Sequence, residues 1–161
     1  LRIELRYDGE GGQRMFLNGR DVSGEIRLPE ISRYASAVSA LPVVRAYLME
    51  TQRDLARKHD VIMDGRDIGT VVLPDAEVKV FLTASAQARA ERRCRELEER
   101  GTPQPFEEVL RDIEERDFRD THREAAPLRQ AEGAALLDTS ELNFQESLEA
   151  LLGMIRERTG L

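Results

Sequence analysis

The residues best suited to chemistry begin at "DGRD", Asp64 to Asp67. The apolar run at 61–63 precedes them and reads as a buried strand. Open α/β sheets bind ligands at the carboxyl ends of their strands, and Asp64 is expected at such an end. A carboxylate there can hold Mg2+, usually through water. Gly65 lets the backbone turn tightly. Arg66 adds a forked donor and Asp67 an acceptor. The plainer reading is a strand-ending turn with solvated charges.

A second constellation lies on a helix expected from about Phe106 to Glu124. Arg116, Arg119 and Arg123 recur at i, i+3, i+7, within about 60° of one face. Asp112, Asp117 and Asp120 stand close enough in sequence to pair some of them. Either the face is salt-bridged and solvated, or it holds an anion. A guanidinium fork binds two phosphate oxygens at once. The chain uses 22 Arg against 2 Lys, so an excess of Arg is its general habit. The helix before this one carries Arg89, Arg92, Arg93 and Arg95 among Glu91, Glu96, Glu98 and Glu99. It reads as a solvated helix, or as a mobile lid that brings an Arg over a transferring phosphate. His59 and His122 read as surface residues.

The elements that must position these groups follow from pattern. Residues 1–27 alternate and turn like a small β meander, with Asn18-Gly19 as a tight-turn signal. Residues 29–58 read as two helices, with Pro42 in the first turn of the second. Val44, Leu48 and Leu55 share one face of it. The runs at 61–64 and 78–82 read as buried parallel strands, as does "AALLD" at 134–138. Ser85 is an N-cap for a helix that Gly101 stops. Asn143 with Glu146 makes a capping box for a last helix, striped by Leu148, Leu151, Leu152 and Ile155. Strands alternating with helices imply an α/β layer fold with a parallel sheet.

Bulk composition narrows the function. The 161 residues are 40% hydrophobic, enough for one domain with a core. A net charge of -7, 5% aromatic residues and no Trp disfavour a nucleic-acid or anionic-membrane surface. One Cys and two His exclude an intrachain disulfide and a Cys/His metal cluster. A reducing, cytoplasmic setting fits, and no apolar run approaches the ~20 residues that span a bilayer.

"NGRDVSGEIR", "ASAVSALPVVR", "DGRDIGTVVLPDAEVKVFLTAS", "ERDFRD" and "APL" occur in this order. Their spacing resembles that of bacterial cytidylate (CMP) kinases, over nearly the whole chain. The resemblance implies a single domain with the P-loop nucleoside-monophosphate-kinase-like fold, an α/β parallel sheet flanked by helices. It places a CMP-binding subdomain with the β meander at 1–58, and the remaining core at 59–161 with a lid near 89–105. It implies transfer of the ATP γ-phosphate to CMP or dCMP, giving CDP or dCDP, with Mg2+ as cofactor. Carried over by position, Ser36, Arg45, Arg66, Asp67, Arg116, Asp120 and Arg123 would form the CMP site. Arg92 and Arg93 would be lid arginines that neutralise the transferred phosphoryl group, and Asp64 the Mg2+ carboxylate. The chemistry is compatible: the cytosine amino group suits Asp67, its ring acceptors an Arg. The phosphate suits Arg66 and a second Arg, and the sugar hydroxyls suit Ser36 and Asp120. Which Arg meets base, sugar or phosphate stays open. Ser85 and Cys94 receive structural readings, since no covalent nucleophile is needed. The expected partners are CMP, dCMP and ATP, not nucleic acid or membrane, and a monomer is expected.

One family feature is missing. The G-x-x-x-x-G-K-[ST] phosphate loop does not occur; Gly19 and Gly24 have its spacing, but Glu25-Ile26 follow. The expectation is that the phosphate loop and the central strand before it lie outside this chain. The chain would then be part of a longer protein and inactive alone. The alternatives are a CMP-binding fragment without catalysis, another nucleoside monophosphate kinase, and a structural remnant whose charged helices are merely solvated. Arg45, Asp67 and the meander favour cytosine, on the resemblance.

Overall fold

The computed structural model describes residues 2–10, 12–28, 31, 34–35, 38 and 41–160. The chain divides into two compact units, Leu1–Thr51 and Gln52–Leu161.

The first unit is built on an antiparallel meander. Strands β1 (Ile3–Tyr7), β2 (Gln13–Leu17) and β3 (Arg20–Asp21) pair in sequence order. Ile3 lies opposite Leu17, and Phe16 opposite Asp21. Asn18 (φ 50°) and Gly19 (φ 86°) make the two-residue turn. Both adopt left-handed backbone, which matches the twist of a hairpin. Buried Ser23 is satisfied on both sides: Met15 N–H donates to its Oγ at 2.8 Å, and the Oγ donates to Asp21 at 2.5 Å. The first of the two expected helices falls mostly outside the described residues. Of these, Ile31, Tyr34, Ala35 and Val38 have helical backbone. The second is α1 (Pro42–Lys58), whose first residue is Pro42 as expected. Its sequence runs across the division between the units.

The second unit carries the parallel pair. β4 (Val80–Thr83) and β5 (Ala135–Asp138) align from Val80 opposite Ala135 to Thr83 opposite Asp138. Lys79 O and Thr83 O extend the ladder to Ala135 N and Thr139 N. Helix α2 (Ala86–Glu99) starts at Ser85, whose hydroxyl accepts from Ala88 N. Gly101, at φ 72°, follows its end in the left-handed conformation that ends helices. Helix α3 (Phe106–His122) packs on α2. Ala90, Leu97 and Val109 are buried there, with Cys94, Phe106, Leu110 and Ile113 against them. Cys94 is thus a packing residue with a free thiol. Helix α4 (Phe144–Thr159) opens with the full Asn143/Glu146 capping box and packs on β5. Its apolar stripe is only half-covered, with Leu148 and Leu152 exposed. No helix among the described residues is long and apolar enough to cross a membrane.

One expected strand is not a strand. Residues 61–64 have no regular structure, and Ile62 is 97% exposed. A strand exists only through a ladder with a neighbour, and these residues have none among those described. The β4–β5 pair and its helices keep the α/β class. Asp64 therefore leads into the "DGRD" turn from an irregular segment rather than from a strand end.

Candidate functional site

The turn after Asp64 runs into a five-residue π-type helix, Ile68–Val72. Asp67 O accepts from Val71 N and Val72 N, and Ile68 O from Leu73 N at 2.7 Å. Such wide turns are rare and favour functional sites. Arg53, on α1, donates to Val71 O at 2.8 Å and to Val72 O at 2.9 Å. It satisfies the carbonyls that the wide turn leaves open. Gly65 is required here for space: a Cβ would come within 2.8 Å of Ile68 Cγ1.

Within the second unit the turn and α3 meet. Arg66 Nε donates to Asp120 Oδ2 at 3.1 Å, across 54 residues of sequence. Arg116 Nε lies 3.9 Å from the same oxygen. Asp120 is the more sheltered partner, at 20% side-chain exposure against 43% for Arg66. Two cations therefore share one carboxylate, which leaves local positive charge. Arg123 follows at the end of α3. Its Nε donates to Ala126 O at 2.8 Å, and its Nη2 is buried without a hydrogen-bond partner among the described residues. Ala126 takes φ 52° to present that carbonyl, a conformation uncommon for a residue with a side chain. Leu128 N donates to Asp120 O at 2.8 Å and holds the loop against the helix end. A buried guanidinium nitrogen without a partner is costly.

The other expected site residues are distributed as follows. Asp64 is exposed, with no hydrogen-bond or ion-pair partner among the described residues. Asp67 is half-buried beside Arg66 in the turn. Arg45 lies on α1 in the first unit, and Ser36 lies outside the described residues. Arg93 pairs with Glu96 on its own helix at 2.6 Å. Arg92 turns to the loop after β5. It donates to Thr139 O, to Leu142 O at 3.1 Å and to Thr139 Oγ1 at 3.3 Å. Thr139 Oγ1 in turn donates to Thr83 O at 3.1 Å. His122 is exposed and stacks on Phe118 at 4.0 Å.

No group of three His, Cys, Asp or Glu among the described residues could hold a metal. A cage made wholly of protein ligands does not fit. A single open carboxylate such as Asp64 does fit Mg2+, which keeps most of its waters and takes its other ligands from phosphates.

Sequence reasoning did not single out Arg53 or the pairing of Arg89 with Asp117. Arg89 Nη1 and Nη2 donate to Asp117 at 2.9 and 2.5 Å, and its Nε to Ala84 O at 3.0 Å. The Asp117 carboxylate raises the pKa of this guanidinium further. At the end of β5, Ser140 donates its hydroxyl and its N–H to Asp138, and lowers that carboxyl below its ordinary pKa. No local signal marks Arg53 or Arg89, because their partners lie 18 to 28 residues away.

A parallel pair with flanking helices is consistent with an α/β fold of the nucleoside-monophosphate-kinase type. The family model described as "Cytidylate kinase" matches residues 1–157. Three proteins called cytidylate kinase are similar to the chain. That of Carboxydothermus hydrogenoformans is 53% identical over 147 residues, 91% of this chain and 66% of that protein. That of Lactobacillus johnsonii is 49% identical, over 92% of this chain and 65% of that protein. That of Thermosipho melanesiensis is 50% identical, over 98% and 72%. The chain belongs to the cytidylate kinase family. It spans about two thirds of the length of the curated relatives it matches.

Proposed function

We propose that the chain provides the acceptor-nucleotide site of an enzyme that transfers the ATP γ-phosphate to CMP or dCMP. The observation that carries this reading is the cationic face of α3. Arg66 and Arg116 share Asp120, and the buried Nη2 of Arg123 has no hydrogen-bond partner among the described residues. Two guanidiniums about one carboxylate, with Arg123 farther along the same helix, suit a monophosphate dianion. Asp67, in the same turn as Arg66, suits the cytosine amino group. Ser36 and Arg45 belong to the proposed set on the family resemblance alone. Asp64 would hold Mg2+ through water; the bound ion would supply charge neutralisation on the phosphates. Arg92 and Arg93 belong to the helix proposed as part of the lid. Arg93, held only by a half-exposed carboxylate on its own helix, is the freer of the two to reach a phosphoryl group. The residues' work is positioning and electrostatics, so no covalent intermediate is needed.

The family of the relatives supports phosphotransfer to a nucleotide; the choice of CMP comes from the family resemblance, and the residue types in the turn and on α3 are compatible with it. A second reading, CMP binding without turnover, is favoured by the absence of G-x-x-x-x-G-K-[ST] from the sequence. Calorimetric titration of the chain with CMP, and separately with ATP and Mg2+, tests both. CMP binding is expected. ATP binding alongside it supports the transferase reading for the chain itself, and CMP binding alone supports the second. Binding of neither would overturn the acceptor site.

A further inference from the structure

The α2–α3 contact is apolar along most of its length. Such contacts are non-directional, so they hold two helices together more firmly than they hold their register. The end of the contact nearest the Arg/Asp cluster is different. There, all three guanidinium nitrogens of Arg89 are engaged: two with Asp117 and one with Ala84 O, directly after β4. Among the described residues it is the one ion pair that joins α2 to α3. A bidentate fork constrains angle as well as distance. Asp117 stands one turn before Asp120 on α3 and about 60° around from it. Whatever holds Asp117 therefore sets both the rotation and the height of Arg116 and Asp120.

We propose that Arg89 and Asp117 are positioning residues. They clasp α3 to the carboxyl end of β4, and so hold Arg116, Asp120 and Arg123 where the acceptor nucleotide binds. The proposal rests on the acceptor-site reading above. Neither residue needs to touch the nucleotide, since each already spends its polar atoms on the other or on Ala84. A shift of about 1 Å in such a site is enough to weaken it severely.

The test is a double-mutant cycle on CMP affinity, measured by calorimetry on the chain, with circular dichroism to report folding. R89Q and D117N should each weaken CMP about tenfold. The double variant should be no weaker than either, because both remove one clasp. R89K keeps the charge but not the fork, and should still lose several-fold. Hydrogen exchange should show α3 amides near Asp117 losing protection in R89Q while those of α4 keep it. Unchanged CMP affinity in R89Q and D117N would overturn the clasp alone, as would losses that add to about a hundredfold in the double variant. Should R89Q not fold, wild-type affinity in a folded R89K would overturn it. A wild-type chain that does not bind CMP would remove the acceptor site, and the clasp's role with it.

Discussion

Arg123 ties the end of α3 to the loop that follows it. One of its nitrogens serves Ala126 O, and another is buried with no hydrogen-bond partner among the described residues. Arg123→Met keeps bulk and removes both. Charged hydrogen bonds contribute about 1.5–3 kcal/mol, so CMP affinity should fall about tenfold or more. Stability in urea should move by less than about 1 kcal/mol, because the lost Nε bond and the relieved Nη2 oppose one another. Asp67→Ala should weaken CMP far more than it weakens the use of ATP; equal losses would count against a base-reading role. Asp138 gives a pH effect with a definite sign. Its folded pKa is lowered, first by the Ser140 hydroxyl and then by the Ser140 N–H. Its contribution to stability is therefore present above the unfolded pKa and is lost as pH falls through the folded one. Ser140→Ala should raise the Asp138 pKa toward its ordinary value and shrink that acid-side dependence. A carboxyl titration followed by NMR reads this directly.

At the scale of elements, the helices depend on their ends. The half-covered stripe of α4 contributes less packing than a buried face would, so its capping box matters more. Asn143→Ala removes the acceptor for Glu146 N and half of the reciprocal box. A loss of about 1 kcal/mol is expected in urea melts. Arg53 and the π-type turn form another dependent pair. The turn leaves carbonyls that no regular helix continuation would satisfy, and an arginine from α1 supplies the donors. That arrangement fixes the backbone between Asp67 and Leu73, directly beside Arg66. Gly65 completes it, since a Cβ there would press on the Ile68 side chain and force it to shift.

Across the whole molecule, a net charge of -7 works against binding an anionic nucleotide. The grouping of Arg66 and Arg116 about Asp120 is a local exception, and both arginines are well exposed. Salt screens exposed charges within about 10 Å at 0.1 M. CMP affinity of the chain should therefore fall as NaCl rises from 50 to 500 mM, while the affinity of the nucleoside cytidine should change far less. Calorimetry at a series of salt concentrations measures both. Equal salt dependence for the two would place the phosphate away from the arginines.

What the sequence determined by itself was local. Asn18-Gly19, Ser85, Gly101 and the Asn143/Glu146 box act within one turn of chain, so a turn or a cap is legible wherever it stands. The run "DGRDIGTVV" and the arginine face of α3 were legible as concentrations of charge, from residue type and spacing. The tertiary structure decided the rest. Whether 61–63 is a strand depends on a neighbour, and an apolar run cannot carry its own ladder. That Arg66 meets Asp120, that Arg89 takes Asp117 and that Arg53 closes a turn were choices among many charges. Coulomb attraction between an Arg and an Asp is the same for every such pair in a sequence rich in both. Only the folding back of α3 and α1 selects which of them come within hydrogen-bond reach.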